Sequence, residues 1–103
     1  MTTEVTDDHE QQRYEISEDG DRVGFLTYRL QPGQIEFIHT EIDPDHGGRG
    51  LAGVLVEAAL EDAGSRRLVV LPTCPYVARF IGEHSEFLEL VPENRRDQFR
   101  LAG

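Results

Sequence analysis

Polar and apolar residues alternate through Arg13-Tyr14-Glu15-Ile16-Ser17, the period-two pattern of a half-buried strand. Glu18-Asp19-Gly20-Asp21 follows, and its Asp-Gly step signals a hairpin turn. Alternation resumes from Arg22 to Leu30, with Val23, Phe25 and Thr27 on one side and Gly24, Leu26, Tyr28 and Leu30 on the other. Gln31-Pro32-Gly33-Gln34 makes a second turn, and Ile35 to Ile42, rich in β-branched and aromatic residues, makes a third strand. Three strands joined by two tight turns predict an antiparallel meander.

The period then changes. Asp43-Pro44-Asp45-His46-Gly47-Gly48-Arg49-Gly50 is a Gly-rich loop. Leu51, Val54, Leu55, Ala58, Ala59 and Ala63 recur at helical spacing, predicting a helix over about 50–63 that Gly64 terminates. The apolar run 67–71, bounded by Arg66 and Pro72, fits a strand covered on both faces. Pro75 suits the first turn of a second helix, which Val77, Phe80, Ile81 and His84 continue to about residue 84. Phe87, Leu88, Leu90 and Val91 suggest a short final strand. The helix between the third strand and the 67–71 strand makes those two parallel by a right-handed crossover. The expected class is α+β (mixed α/β): a three-stranded antiparallel meander followed by αβα. Residues 1–11 read as a disordered acidic tail, 12–92 as the domain and 93–103 as a polar C-terminal tail.

Composition narrows the functions open to such a domain. The chain has 103 residues and carries 20 acidic against 10 basic side chains, a net charge of −10. This argues against nucleic acid and anionic membrane partners, both of which need clustered cations. Every cation is Arg, so no Lys is available for a Schiff base or a phosphate loop. Cys74 is alone, which excludes an intramolecular disulfide and a Cys-based zinc site, and the four His show no ligand spacing, so no metal site is expected. The acidic N-terminus is unlike a signal peptide, and no apolar run approaches the roughly 20 residues that span a bilayer. A cytoplasmic location is the expectation.

A strand, a Gly-rich loop and a helix start form an anion site, because helix N-terminal amides and the helix dipole converge there. Gly48-x-Gly50-x-x-Gly53 matches the dinucleotide fingerprint literally, but its context is wrong. The preceding strand closes an antiparallel meander, and the next ends in Leu71-Pro72-Thr73 with no acidic residue for a ribose hydroxyl.

Gly47-Gly48-Arg49-Gly50-Leu51-Ala52, followed by Val54-Leu55-Val56, resembles motif A of the GNAT superfamily, the acetyl-CoA-dependent N-acetyltransferases. With His39-Thr40-Glu41-Ile42 before it and Leu71-Pro72-Thr73-Cys74-Pro75-Tyr76-Val77 after it, residues 13–91 resemble a small GNAT-like branch of about one hundred residues. The resemblance implies a GNAT-like (acyl-CoA N-acyltransferase) fold. It places the CoA diphosphate on the backbone amides of Gly48, Arg49, Gly50, Leu51, Ala52 and Gly53, with Gly47 opening the motif and Cys74 beside the thioester. It runs the pantetheine arm between the 35–42 and 67–71 strands, paired with backbone near Glu41 and Ile42. An amide there would polarise the thioester carbonyl.

Two departures stand out. Gly47 occupies the usual Gln/Arg position of motif A, leaving Arg49 to supply charge. Larger members carry Asn-x-x-Ala-x-x-x-Tyr, whose Tyr protonates the leaving thiolate; aligning Asn with Cys74 puts Ile81 at the Tyr. Cys74 sits at a helix start whose dipole favours a thiolate; it reads as acyl acceptor, as acid toward the CoA thiolate, or as a small buried hydrophobe. His39 suits a general base for an amine, with Phe37 and Glu41 expected on its face, or is a structural histidine. Glu41 would orient His39 or act through water. Tyr76 reads as core or pocket wall, and His84 as a helix cap. Arg66-Arg67 read as a solvated cluster at a helix end, with the CoA 3′-phosphate a minor alternative.

The expected activity is transfer of acetyl from acetyl-CoA to an amine; the alternative is a non-catalytic acyl-CoA-binding regulatory module. The acidic surface favours a cationic acceptor, a small molecule or a Lys side chain. The helices that shape the acceptor pocket in larger members have no counterpart before residue 12, so loops, a partner protein or a second copy in a homodimer would supply that wall.

Overall fold

The computed structural model describes residues 2–101. Five strands form one sheet in the order β1-β2-β3-β4-β5: β1 Thr3–Asp8, β2 Arg13–Glu18, β3 Asp21–Gln31, β4 Gln34–Ile42 and β5 Val69–Pro72. Helix α1, Leu51–Ser65, crosses from β4 to the parallel β5, and α2, Pro75–Glu83, follows. All other neighbouring strands are antiparallel. The fold is α+β, with the expected meander and αβα order.

The core lies on one face of the sheet. Ile16, Leu26, Ile35 and Phe37 point there and meet Leu55, Val56, Ala59 and Leu60 of α1 and Val77 and Ile81 of α2, all buried. Alternation sends Arg13, Glu15, Phe25, Thr27 and Glu36 to the other face, where they are half-buried and no helix covers them. Val23 was expected beside Phe25, but a register shift beyond Ile16↔Gly24 turns it into the core at 2% exposure.

Both ends are more ordered than their composition suggests. Residues 3–8 are no disordered tail: they pair with β2 from Thr3↔Glu18 to Asp8↔Arg13. Val5 packs on the core, and the Tyr28 hydroxyl donates to Asp7 at 2.6 Å. The acids of β1 are tolerated because it is a sheet edge, where charge meets water and blunts further strand addition. The expected strand at 87–91 is instead a 3-10 helix, Ser85–Leu90, that inserts Phe87 into the core. The polar C-terminal tail turns back through Glu93–Arg95 and Asp97–Phe99 and buries Leu101 at 5% exposure. Arg96 holds this return, donating to the carbonyls of Val91 and Leu88 at 3.1 and 3.0 Å. Met1, Ala102 and Gly103, the outer ends of those two expected tails, lie outside the described residues.

Helix α1 also runs past Gly64 to Ser65, and Arg67, not the glycine, takes the left-handed conformation at φ 57°. A Cβ on Gly64 would lie 3.6 Å from Leu90 Cδ2, so its small size serves close packing there. Strand β5 is not covered on both faces: it lies at a sheet edge and Val69 is 38% exposed. No described helix is long and apolar enough to cross a membrane.

Candidate active site

Strands β4 and β5 pair from Gln34↔Val69 to Phe37↔Pro72, and a final bond runs from the Cys74 amide to the Phe37 carbonyl at 2.8 Å. The chain then leaves the sheet, with Thr73 folded back on the Leu71 carbonyl at 3.0 Å and Pro75 opening α2. Strand β4 continues to Ile42, still paired with β3 as far as Gly24↔Ile42. From Ile38 onward its other edge meets no described strand, so the two parallel strands part. The Asp43 amide donates to the Val23 carbonyl at 2.8 Å, on the β3 side. Strand alternation therefore turns the Thr40 and Ile42 amides into the gap, and Glu41's backbone toward β3.

A bulge controls which side chains meet there. The register steps from Tyr28↔Phe37 to Thr27↔His39, leaving Ile38 without a partner. The extra residue resets the alternation. Phe37 stays in the core, whereas His39 and Glu41 stand on the open face opposite Thr27 and Phe25. His39 lies edge-on to the Phe25 ring at 6.3 Å between centroids. The expectation that His39 shares a face with Phe37 is thus corrected.

Thr40 turns to the core side, and its Oγ1 lies 3.3 Å from Cys74 Sγ. Cys74 is buried, at 4% exposure. The structure brings Cys74 together with Thr40 at the root of the gap, and it sets His39 and Glu41 on the other face of β4. Thr40 was missed by sequence reasoning. It sits between His39 and Glu41, and only the bulge reveals which of the three faces the cysteine.

The Gly-rich loop closes the other end of the gap. After a 3-10 turn at Pro44–His46, Gly48 and Gly50 adopt φ of 77° and 76°, and a Cβ on either would meet nothing within 4 Å. The first helical bond of α1 runs from the Val54 amide to the Gly50 carbonyl at 3.3 Å. The amides of Leu51, Ala52 and Gly53 therefore point out of the helix mouth. The N-cap is glycine, and no acidic residue stands in the first turn. In a chain with 20 acids, this helix start is left bare of side-chain carboxylates, so its amides and dipole are free to hold an anion. That cradle, with no side chain at Gly48 or Gly50, leaves open space for an anion against the backbone.

The Arg49 guanidinium is engaged by a carboxylate of the sheet. Its Nη1 and Nη2 donate to Glu18 at 2.8 and 3.2 Å, and Glu18 is only 8% exposed. His46 Nε2 lies 4.0 Å from the same carboxylate.

Helix α2 supplies a wall. A Cβ on Gly53 would lie 3.7 Å from the Tyr76 hydroxyl and 3.7 Å from Phe80, so Tyr76 stands beside the mouth of α1. Ile81 is fully buried and offers no acid. His84 caps α2, with Nδ1 donating to the Phe80 carbonyl at 2.8 Å and its ring stacked on Phe80. Arg66 and Arg67 stand at the far end of α1, where Arg66 pairs with Asp62 and Asp7 at 3.3 and 3.6 Å. A separate cavity of about 740 Å³ lies on the outer side of α2, lined by Pro75, Arg79, Glu83, Phe99 and Arg100, and does not reach Cys74 or the loop. Among the described residues no group of three or more His, Cys, Asp or Glu is placed to hold a metal.

The sequence profile described as GCN5-related N-acetyl-transferase matches residues 13–90. A crystal structure of a ribosomal-protein-alanine N-acetyltransferase from Brucella melitensis biovar Abortus 2308 is similar over 57% of this chain, at 25% identity and a TM-score of 0.49. This chain covers 44% of that enzyme's chain, less than half its length. No curated protein matches the sequence.

Proposed function

We propose that this chain, which belongs to the GCN5-related N-acetyl-transferase family, transfers an acetyl group from acetyl-CoA to a cationic amine. The observation that carries this reading is the mouth of α1: two left-handed glycines, the second of them the helix cap, and a first turn free of acids, on the chain that leaves β4 beyond the point where β4 and β5 part. Bound there, acetyl-CoA supplies a thioester whose carbonyl carbon takes the amine and whose sulfur departs as the CoA thiolate.

The chain's own groups have distinct tasks in this reading. The amides of Leu51, Ala52 and Gly53, with those of the loop, hold the diphosphate. The Thr40 and Ile42 amides pair with the pantetheine arm, and one of them donates to the thioester oxygen as negative charge develops on it. The open face of β4 offers Glu41 and His39 as bases, which take the ammonium proton directly or through water so that the neutral amine attacks. Cys74, with Thr40 beside it, faces the leaving sulfur from the core side. There the thiol either returns a proton to the thiolate or accepts the acetyl group first. The net charge of −10 draws a cationic acceptor toward the protein.

Two observations favour a non-catalytic acyl-CoA-binding module: Cys74 and the His39–Glu41 pair lie on opposite faces of β4, and Ile81 replaces the usual acid. Release of free CoA from acetyl-CoA in the presence of a polyamine or Lys-peptide panel separates the two. Amine-dependent release that falls about 100-fold in Cys74→Ala supports the transferase with a chemical role for the thiol. Tight CoA binding without amine-dependent release overturns it in favour of the module. Full activity in Cys74→Ala removes the cysteine alone.

A further inference from the structure

Glu18 is the one charged side chain buried among the described residues, at 8% exposure. A buried carboxylate is retained only where it is paired and hydrogen-bonded. Here the partner is 31 residues away in sequence, the two-pronged guanidinium of Arg49, at 2.8 and 3.2 Å. Arg49 stands between Gly48 and Gly50, the two residues with left-handed backbone in the anion cradle. Two glycines make that loop conformationally permissive, and an unrestrained loop would present its amides in the binding arrangement only part of the time. Glu18 itself is firmly based. It ends β2, pairs with Thr3 on one side and Asp21 on the other, and so belongs to the sheet, not to the loop.

We propose that Glu18 is a positioning residue for donor binding: through Arg49 it locks the glycine loop to the sheet and sets the amides of residues 48–53 for the diphosphate. The proposal rests on the donor-binding reading above. Arg49 then serves as a tether and not as a phosphate ligand, which accounts for an arginine in motif A whose two Nη atoms donate to a carboxylate of the sheet. Affinity for a ligand that needs the ordered loop scales with the fraction of time the loop is ordered.

The test is titration calorimetry on the full chain with CoA and, separately, with pantetheine, which lacks the diphosphate. Glu18→Gln and Arg49→Gln are each expected to weaken CoA about tenfold, as for a loop ordered a tenth of the time. Both are expected to change pantetheine affinity less than about twofold, a selectivity that general destabilisation would not produce. The double variant, which leaves no buried charge and tests the idea if Glu18→Gln folds poorly, is expected to bind CoA no more weakly than either single variant. Wild-type CoA affinity in Glu18→Gln or in the double variant, or equal losses for CoA and pantetheine, overturns the tether while leaving the donor site standing. A wild-type chain that binds no CoA overturns both.

Discussion

Gly33 and Gly50 form a matched pair. Their φ angles are 74° and 76°, and a Cβ added to either meets nothing within 4 Å. An alanine at either site therefore pays no steric clash, only the left-handed conformation, about 1 kcal/mol in each case. In a domain of this size that lowers Tm by about 4–8 °C. The sites differ in position. Gly33 lies in the turn that opens β4, and Gly50 lies beyond its far end, nine strand residues and roughly 30 Å away along the strand. In the proposed donor site the Gly50 methyl would stand where a diphosphate approaches the amides of α1, whereas the Gly33 methyl would stand in solvent. Thermal denaturation should show the two variants equally destabilised. Titration with CoA should show Gly33→Ala unchanged and Gly50→Ala weakened at least about tenfold, the cost of one misplaced contact at a backbone anion site. Equal CoA affinities in the two variants would refute the cradle.

Three further outcomes test the fold. Gly24→Ala puts a methyl against Ile42 and 2.7 Å from the Glu41 carbonyl, so urea denaturation should show a loss of about 1–3 kcal/mol; a loss under about 0.5 kcal/mol would mean β3 and β4 part easily. Burial, then hydrogen bonds to Asp62 and Asp7, raise the Tyr14 and Tyr28 phenols above their ordinary value. Because the folded state holds these protons more tightly, their contribution is complete below about pH 10 and is lost as pH rises beyond it. The Tyr14→Phe, Tyr28→Phe double variant should lose stability less steeply with pH in that range, and an identical slope would contradict the shift. Removing residues 1–8 takes away β1 and the Asp7 acceptor, so the urea midpoint should fall; an unchanged midpoint would restore the idea of a passive tail.

The meander, the crossover helix and the second helix were legible because each rests on a local period of two or 3.6, punctuated by Asp19-Gly20, Pro32-Gly33 and Pro75. The left-handed turns of the loop before α1 were legible for a related reason: Gly48 and Gly50 mark where the backbone takes a conformation that other residues resist. What stayed hidden depended on contacts distant in sequence. Composition made residues 3–8 look disordered, yet Asp7 meets Tyr28 and the strand is held by β2. The apolar run 87–91 carried no periodicity able to separate a strand from a 3-10 turn.

The candidate chemistry suffered most, from a single residue. Reading the alternation straight through β4 groups Phe37, His39 and Glu41; the unpaired Ile38 breaks that count and exchanges the faces beyond it. The same bulge lies where β4 loses β5, so the distortion that opens the gap also decides which side chains look into it from each side. In the proposed transfer an amine arriving on the open face would meet Glu41 and His39, and a sulfur departing on the core face would meet Cys74 and Thr40. Acyl transfer proceeds by addition and then elimination, so the group that takes the ammonium proton and the group that meets the leaving sulfur need not touch each other. The same separation rules out a direct Cys74–His39 couple, so in the proposed transfer each side chain would act from its own face of β4.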